Sequence, residues 1–342
     1  MGIKSTLIVS ALFLSACLLT STPPISTPLS DTPVVPMQSQ TAVPVDTVVP
    51  TTPGGNGPMI ANCPMFPADN IWNARVDLLP VHPLSSAWID SVGRNESFHM
   101  DFGSGEWDGG PIGIPYNVIS GSSVTRYTLD FDYSDESDPG PYPIPDPPLM
   151  EYSSDRHILI VDTDDCRLYE IYAASFENGA WRGGSGAIWD LSSNRLRPET
   201  WTSADAAGLP ILPGLVRYDE IAGGEIKHAL RFTAEETAGY IWPARHLTSD
   251  AQQGIPPMGA RFRLKADYDI SGFPPETQII LQALKTYGII LADNGSNWYV
   301  TGAPDERWDN DMLHELDVLT GDDFEAVDTS VLMANPDSGE VK

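Results

Sequence analysis

Apolar and polar residues alternate without a break in the stretch Tyr127-Thr128-Leu129-Asp130-Phe131-Asp132-Tyr133. A period of two is typical of a β-strand with one face in the core and the other in solvent. The predicted strand spans 124–133, and further short strands are predicted at 112–119, 157–162, 167–173, 187–191, 226–233, 261–265, 288–292 and 298–301. Long helices are disfavoured because 31 Pro and 29 Gly punctuate the 342 residues.

Two helices are nevertheless expected, at 84–92 and 274–287. The first follows Pro83 and stops at Gly93, whereas the second opens with a Pro-Pro pair and ends at Gly288. A third helix at 212–221 has a weaker pattern. The fold class predicted for residues 59–342 is therefore α+β and β-rich. We expect a single domain, a distorted β-sandwich or barrel with two or three peripheral helices.

The first residues have the character of an export signal. Lys4 precedes a short apolar run that is too short to span a membrane permanently. The run ends in Leu14-Ser15-Ala16-Cys17, which resembles the lipobox of bacterial lipoproteins. This resemblance implies that residues 1–16 are a signal peptide and that Cys17 is acylated and held by a lipid anchor in a membrane. An ordinary secretory signal is the alternative. We expect a bacterial cell-envelope protein, lipid-anchored and facing outward.

Residues 17–58 are predicted to be a tether. They are rich in Pro and Thr and contain neither Lys nor Arg, a composition typical of extended segments without a core. The whole chain has 19 basic and 47 acidic residues, a formal charge of −28. Nucleic acid is excluded as the expected partner because phosphate binding needs a basic surface.

Two cysteines, Cys63 and Cys166, remain in the predicted domain. In an oxidising compartment they can form a disulfide that fixes the N-terminal segment to the core. Two buried thiols are the alternative, since the sequence does not give the distance between them.

No zinc-protease, P-loop, dinucleotide or nucleophile-elbow motif is present in the sequence. Polar and aromatic residues instead concentrate in four stretches. The first, 98–110, is Gly-rich and contains His99, Asp101 and Trp107. Glycines permit close backbone approach to a ligand, and carboxylates can act as acid, base or nucleophile. An ordinary surface loop is the alternative interpretation.

The other three stretches combine carboxylates or cations with aromatic rings, which in sugar sites stack on pyranose faces. Each also has a structural interpretation as a turn, a helix cap or a core element. Their candidate residues are Asp293, Trp298 and Tyr299 in 291–299, Arg307, Trp308 and Asp309 in 305–311, and Trp242 and Arg245 in 241–246.

Metal ions have weaker sequence support. Together with Ser134, the carboxylates Asp130, Asp132, Glu136 and Asp138 occupy every second position and would project to one side of an extended chain, as calcium ligands can. An acidic solvated turn is the alternative. Histidines 99, 157, 228 and 246 show no recognised ligand spacing. No cofactor is expected to be required, and Ca²⁺ is the ion considered.

Three segments are similar to a family of exported bacterial proteins: Phe66-Pro67-Ala68-Asp69-Asn70-Ile71-Trp72-Asn73, residues 205–218 and residues 293–311. The resemblance covers residues 62–332. Members of this family often occur beside carbohydrate-binding modules. The resemblance implies one domain type in an extracellular setting, and it transfers no activity and no catalytic residue.

The leading hypothesis is a surface-tethered carbohydrate-active enzyme, a glycoside hydrolase acting on a polysaccharide or oligosaccharide. Such enzymes need two carboxyl groups across a cleft. Asp101 and Asp293 are the predicted pair and Asp309 the alternate, with His99 and Arg245 tuning the pair or binding hydroxyls. The alternatives are a polysaccharide lyase with His99 or Tyr299 as base, a non-catalytic glycan-binding lipoprotein, and a structural envelope protein with calcium-braced loops.

Overall fold

The computed structural model of the protein describes residues 57–342. The predicted lipobox at Leu14-Ser15-Ala16-Cys17, the predicted signal peptide at 1–16 and nearly all of the predicted tether at 17–58 lie outside the described residues. No helix among the described residues has the length and apolar character needed to cross a membrane.

Strands outnumber helices in this structure, with 28% of the described residues in strands and 16% in helices, so the fold is a β-rich α+β domain. The helices are α1 (Ser85–Val92), α2 (Tyr218–Gly223), α3 (Pro275–Thr286) and α4 (Asn310–His314). The strands are β1 (Met59–Ile60), β2 (Cys63–Pro64), β3 (His99–Asp101), β4 (Glu106–Trp107), β5 (Gly110–Pro111), β6 (Tyr116–Ile119), β7 (Arg126–Tyr127), β8 (Asp130–Phe131), β9 (Tyr142–Pro143), β10 (Ile158–Asp162), β11 (Arg167–Tyr172), β12 (Ser175–Glu177), β13 (Ala180–Gly183), β14 (Ser185–Asp190), β15 (Leu230–Ala234), β16 (Arg261–Leu264), β17 (Ile289–Asn294), β18 (Tyr299–Thr301) and β19 (Phe324–Val327).

The largest sheet has six strands in the order β19-β16-β17-β15-β18-β3 and curls into a half-barrel. Strand β15 runs parallel to β17 and antiparallel to β18, and β18 runs parallel to the edge strand β3. Segments far apart in sequence therefore lie side by side on one curved surface.

A second sheet of four strands, in the order β14-β11-β10-β6, has both faces buried. Leu159 and Val161 of β10 join the main core with the half-barrel sheet. Ile158 and Ile160 point to the other face and form a smaller core with Phe131. Burial on both faces explains why β10 is apolar at nearly every position rather than alternating.

Aromatic rings fill the core on one face of the half-barrel. Trp298 is fully buried and stacks against Phe232 and Phe324, with ring centroids 5.6 and 5.2 Å apart. Its indole Nε1 donates a hydrogen bond to the carbonyl oxygen of Gly93, 2.9 Å away. This side of the sheet is therefore closed to ligands.

The predicted helices and strands agree with the structure to within a few residues at most positions. The predicted strand at 124–133 is an exception, because it divides into the two-residue strands β7 and β8, and the predicted helix at 212–221 divides into a 3₁₀ turn and α2.

Cys63 and Cys166 form a disulfide that closes a loop with a sequence separation of 103. Cys166 follows β10 in the four-stranded sheet, and Cys63 belongs to the β1-β2 hairpin. The bond therefore ties the start of the described chain to the sheet.

Candidate functional site

A fully buried ion pair lies at the centre of the candidate site. The Nε and Nη2 atoms of Arg231 donate to the two carboxylate oxygens of Asp205, at 2.9 and 2.5 Å. Nη1 of Arg231 donates to the hydroxyl oxygen of Thr301. The Asp205 side chain is 0% exposed and that of Arg231 is 5% exposed. Two charges removed this far from water are held only because each satisfies the other.

The turn at 202–209 presents Asp205 to this partner. The amide of Asp205 donates to Ser203 Oγ at 3.0 Å, and the amide of Gly208 donates to the carbonyl oxygen of Asp205 at 3.1 Å. Gly208 has φ of +68°, and a Cβ there would lie 2.4 Å from the carbonyl oxygen of Trp201. Glycine is needed at this position to close the turn.

Asp293 joins the ion pair through an irregularity in β17. Phe232 pairs with Leu291, but the next residue of β15, Thr233, pairs with Asp293, so Ala292 is an extra residue. This β-bulge turns Asp293 to the sheet face that carries Arg231, whereas an unbroken register would turn it to the aromatic core. Asp293 Oδ2 then lies 3.9 Å from Arg231 Nη2.

The pKa of Asp293 is raised to about 8 by burial and by the neighbouring Asp205 carboxylate. The positive charge of Arg231 and a hydrogen bond from the Asn294 amide, 2.8 Å from Asp293 Oδ1, oppose this rise. Burial and a like charge both disfavour ionisation of a carboxyl group. Both effects favour the protonated form of the Asp293 carboxyl group.

Asp293 opens onto a cavity of about 340 Å³, which we call the Asp293 cavity. Its side chain is 23% exposed, unlike that of Asp205. The other ionisable side chains that line this cavity are Glu136, Asp155, Tyr133, Tyr172 and His246. The cavity thus contains three carboxyl groups, two phenol rings and one imidazole ring.

Two contacts position the Glu136 carboxylate in this cavity. The backbone amide of Thr202 donates to Glu136 Oε2 at 3.0 Å, and His246 Nε2 lies 3.8 Å from the same oxygen. His246 Nδ1 lies 2.7 Å from the carbonyl oxygen of Ala206, which only accepts, so Nδ1 carries a proton. This bond fixes the ring with Nε2 toward Glu136.

A second cavity of about 520 Å³, the His99 cavity, collects several residues selected from the sequence. His99, Asp101, Trp107 and Tyr299 all line it. Trp107 is 78% exposed, which is unusual for a ring of this size. The pKa of Asp101 is raised by burial, against the lowering effect of His99 and Arg231.

The two cavities share one face of the half-barrel sheet. Asp293 pairs with Thr233, Thr233 with Tyr299, and Tyr299 with His99, so these four residues form one row across β17, β15, β18 and β3. Directly paired residues point to the same side of a sheet. Asp101 lies opposite Thr301, the hydrogen-bond partner of Arg231. The structure therefore brings Asp101 and Asp293 to one surface but into separate cavities.

Two predicted sugar-stacking residues belong to the core instead. Trp298 packs among phenylalanines as described above. Trp308 is 3% exposed, packs edge-on against Phe102 and Tyr218, and donates from Nε1 to the carbonyl oxygen of Ala303 at 3.0 Å. The sequence does not distinguish an exposed indole from a buried one, because both kinds occur beside polar residues.

Two more candidates, Asp309 and Arg245, are occupied by structural contacts. Asp309 caps α4, where its Oδ1 accepts from the amides of Asp311 and Met312. Arg245 is buried and donates to the carbonyl oxygens of Arg197 and Pro336 and to Asp337.

Trp242 and Arg307 also have internal partners. Trp242 is half-buried and donates to the carbonyl oxygen of Ser338, 2.8 Å away. Arg307 is exposed, pairs with Asp219 and Asp305, and lies over the ring of Tyr218. Neither lines the Asp293 cavity or the His99 cavity.

The calcium hypothesis assumed an extended chain, but Ser134–Glu136 is a 3₁₀ turn and the four carboxylates diverge. Asp130 and Asp132 face Arg182, at 3.1 and 3.9 Å. Asp138 accepts from Arg197 Nη1 at 2.7 Å, and Glu136 lines the Asp293 cavity. The segment is therefore cross-linked by arginines and does not present a common set of ligands.

Arg231 and Asp155 are not among the residues selected from the sequence. Arg231 lies in the strand Leu230–Ala234, and an arginine at a core position of an apolar strand is the signal that marks it. Its partner, Asp205, is distant in sequence and was not predictable from spacing.

Comparison of the chain with protein-family models, with curated proteins and with solved structures finds no match.

Proposed function

We propose that this protein is a glycoside hydrolase, tethered by a lipid at the bacterial cell surface, that cleaves polysaccharide or oligosaccharide in the Asp293 cavity. The observation that carries the proposal is the carboxyl group of Asp293, which lies beside the buried Asp205–Arg231 pair and lines an open cavity together with Glu136 and Asp155; burial and Asp205 raise its pKa. Glycoside hydrolysis requires this combination of an acid and an ionised carboxylate.

Asp293 acts as the general acid that protonates the leaving oxygen. The Asp205 carboxylate favours the protonated form, and Arg231 holds that carboxylate in place. Asp205 and Arg231 are positioning residues, because burial keeps both away from a substrate.

Glu136 is the second carboxylate, acting as nucleophile or as the base that activates water. It replaces Asp101 in this role because it lines the same cavity as Asp293. The Thr202 amide and the His246 ring orient its Oε2 atom. Tyr133 and Tyr172 supply rings on which a sugar can stack.

The test is an assay of new reducing ends on a polysaccharide panel with the purified chain and its Asp293→Asn and Glu136→Gln variants. Removing a general acid or base lowers kcat by about 10²–10⁴-fold. Asp269→Asn, which changes an exposed carboxylate that lines neither cavity, is the matched control. A cleaved substrate whose turnover is unchanged in Asp293→Asn contradicts the assignment.

A glycan-binding protein without turnover is the second candidate, and the exposure of Trp107 beside the His99 cavity favours it. On this alternative Trp107→Ala weakens binding to immobilised polysaccharide, while no panel member yields new reducing ends. A lyase would instead produce unsaturated uronates, which an absorbance measurement in the same assay detects. A lyase also needs a cation that neutralises the uronate, and the guanidinium group of Arg245 is engaged instead by backbone oxygens and Asp337.

A further inference from the structure

Two histidines and one aspartate converge at the margin of the His99 cavity. His99 comes from β3, His314 is the last residue of α4, and Asp317 lies in the 3₁₀ turn that follows. One donor atom from each lies within 4.8 Å of the other two, and in the part of the chain that the structure describes no other three His, Cys, Asp or Glu residues meet this condition. No recognised motif spacing connects these positions.

One distance in this group matches the spacing of two ligands around one ion, and the other is that of a hydrogen bond between His314 and Asp317. His99 Nδ1 lies 3.6 Å from Asp317 Oδ1, and His314 Nδ1 lies 3.0 Å from Asp317 Oδ2. The first distance is too long for a hydrogen bond. It is close to the roughly 3.4 Å that separates two ligands when each is about 2.1 Å from a tetrahedral zinc ion.

Asp317 Oδ1 gives independent support. This oxygen is buried, yet no hydrogen-bond donor reaches it within residues 57–342. A buried acceptor without a partner is costly and points to a missing ligand such as a water or an ion. The atom that lacks a partner is the one turned toward His99.

The surroundings leave space for an ion to enter and for a further ligand. The His314 side chain is 61% exposed, so the group is reached from solvent. His99 and His314 line the His99 cavity, so an ion between them borders that space. Three protein ligands with an open position are typical of catalytic rather than structural zinc sites.

We propose that His99, His314 and Asp317 bind a divalent transition-metal ion of the zinc class at the margin of the His99 cavity. Two imidazoles and one carboxylate favour such an ion over Ca²⁺, which prefers oxygen ligands. The site is separate from the Asp293 cavity, and the proposal does not depend on glycoside hydrolysis.

The experiment is a calorimetric titration of the chelator-treated full chain with Zn²⁺, repeated for His314→Ala, Asp317→Asn and the double variant His99→Ala/His314→Ala. We expect one ion per wild-type chain. Each single variant should weaken zinc affinity by at least the roughly 10–100-fold that loss of an outer-shell partner causes. Zn²⁺ should also raise the Tm of the wild type but not of the double variant.

His246→Ala is the matched control, since His246 is also a half-buried histidine close to a carboxylate, Glu136. It should bind Zn²⁺ with wild-type affinity. Absence of stoichiometric zinc binding by the wild type overturns the proposal, and so does equal binding by the wild type and the double variant. Because His314 is exposed, a circular dichroism spectrum matching the wild type should show that His314→Ala is folded.

Discussion

The guanidinium group of Arg231 donates two parallel hydrogen bonds, of 2.9 and 2.5 Å, to the carboxylate of Asp205, and both side chains are buried. The pair sits behind the Asp293 carboxyl group and fixes its electrostatic surroundings. Such a pair is weak evidence for net stability but strong evidence for a fixed geometry, since either partner alone would be an uncompensated buried charge.

Asp205→Ala should therefore lower the free energy of unfolding by about 3–5 kcal/mol, because Arg231 keeps its charge and loses its partner. Urea denaturation followed by tryptophan fluorescence measures this change. Asp130→Ala removes an exposed partner of Arg182 and should leave the denaturation midpoint nearly unchanged. Equal denaturation midpoints for Asp205→Ala and Asp130→Ala would contradict the prediction that Asp205 compensates the buried charge of Arg231.

Asp293 should make stability depend on pH in a defined direction. Its folded pKa of about 8 lies above the roughly 3.9 of an unfolded Asp, so between these values the folded state binds the extra proton. The stability contribution is fully present below about pH 4 and is lost as the pH rises through 8.

Asp293→Asn removes this titration. The free energy of unfolding of the wild type should fall relative to that of the variant as the pH is raised from 4 to 9, which urea denaturation at several pH values measures. A difference that is constant over this range would show that the Asp293 pKa is not raised.

Glu170 of β11 provides a second test of a buried carboxyl group. It is 0% exposed, accepts from the amides of Ile211 and Leu212 and from Trp189 Nε1, and burial raises its pKa to about 7. Glu170→Ala leaves three buried donors unpaired, at about 1–3 kcal/mol each.

Glu170→Gln keeps an acceptor oxygen and should lose less stability than Glu170→Ala. Urea denaturation of the two variants at pH 5 compares them while the wild-type carboxyl group is protonated. Equal stability of the alanine and glutamine variants would show that the hydrogen bonds accepted by Glu170 do not stabilise the fold.

The disulfide between Cys63 and Cys166 should stabilise the domain by limiting the unfolded chain. For a loop of this length the chain-entropy model gives a gain near the top of the usual range, about 2–5 kcal/mol. The double variant Cys63→Ser/Cys166→Ser should unfold at a correspondingly lower urea concentration. Reductant should destabilise the wild type and leave the double variant unaffected. An equal effect of reductant on both proteins would show that it does not act through the disulfide.

Local patterns were sufficient to predict most of the fold. The apolar run of β10, the Pro-led start of α3 and the Gly that follows it are properties of neighbouring residues. Two-residue strands such as β4 and β5 are too short to show a hydrophobic period in the sequence. They are strands only because they pair with each other. The division of 124–133 into β7 and β8 likewise follows from different partners, β9 and β13.

The site was less predictable because its geometry depends on distant contacts. Asp293 was selected from its place after a strand, but its orientation depends on the bulge at Ala292, which strand periodicity does not reveal. Glu136 was interpreted as a calcium ligand because its neighbours in sequence are acidic, whereas its neighbours in space are Thr202 and His246.

The row of side chains on the half-barrel runs from position 99 to position 293, and the third metal-ligand candidate lies at 317. A chain that stops between these positions has no such surface. Both proposed sites therefore form only when strands that are far apart in the chain have paired. Chemistry at either site requires that residues from both ends of this span have folded together.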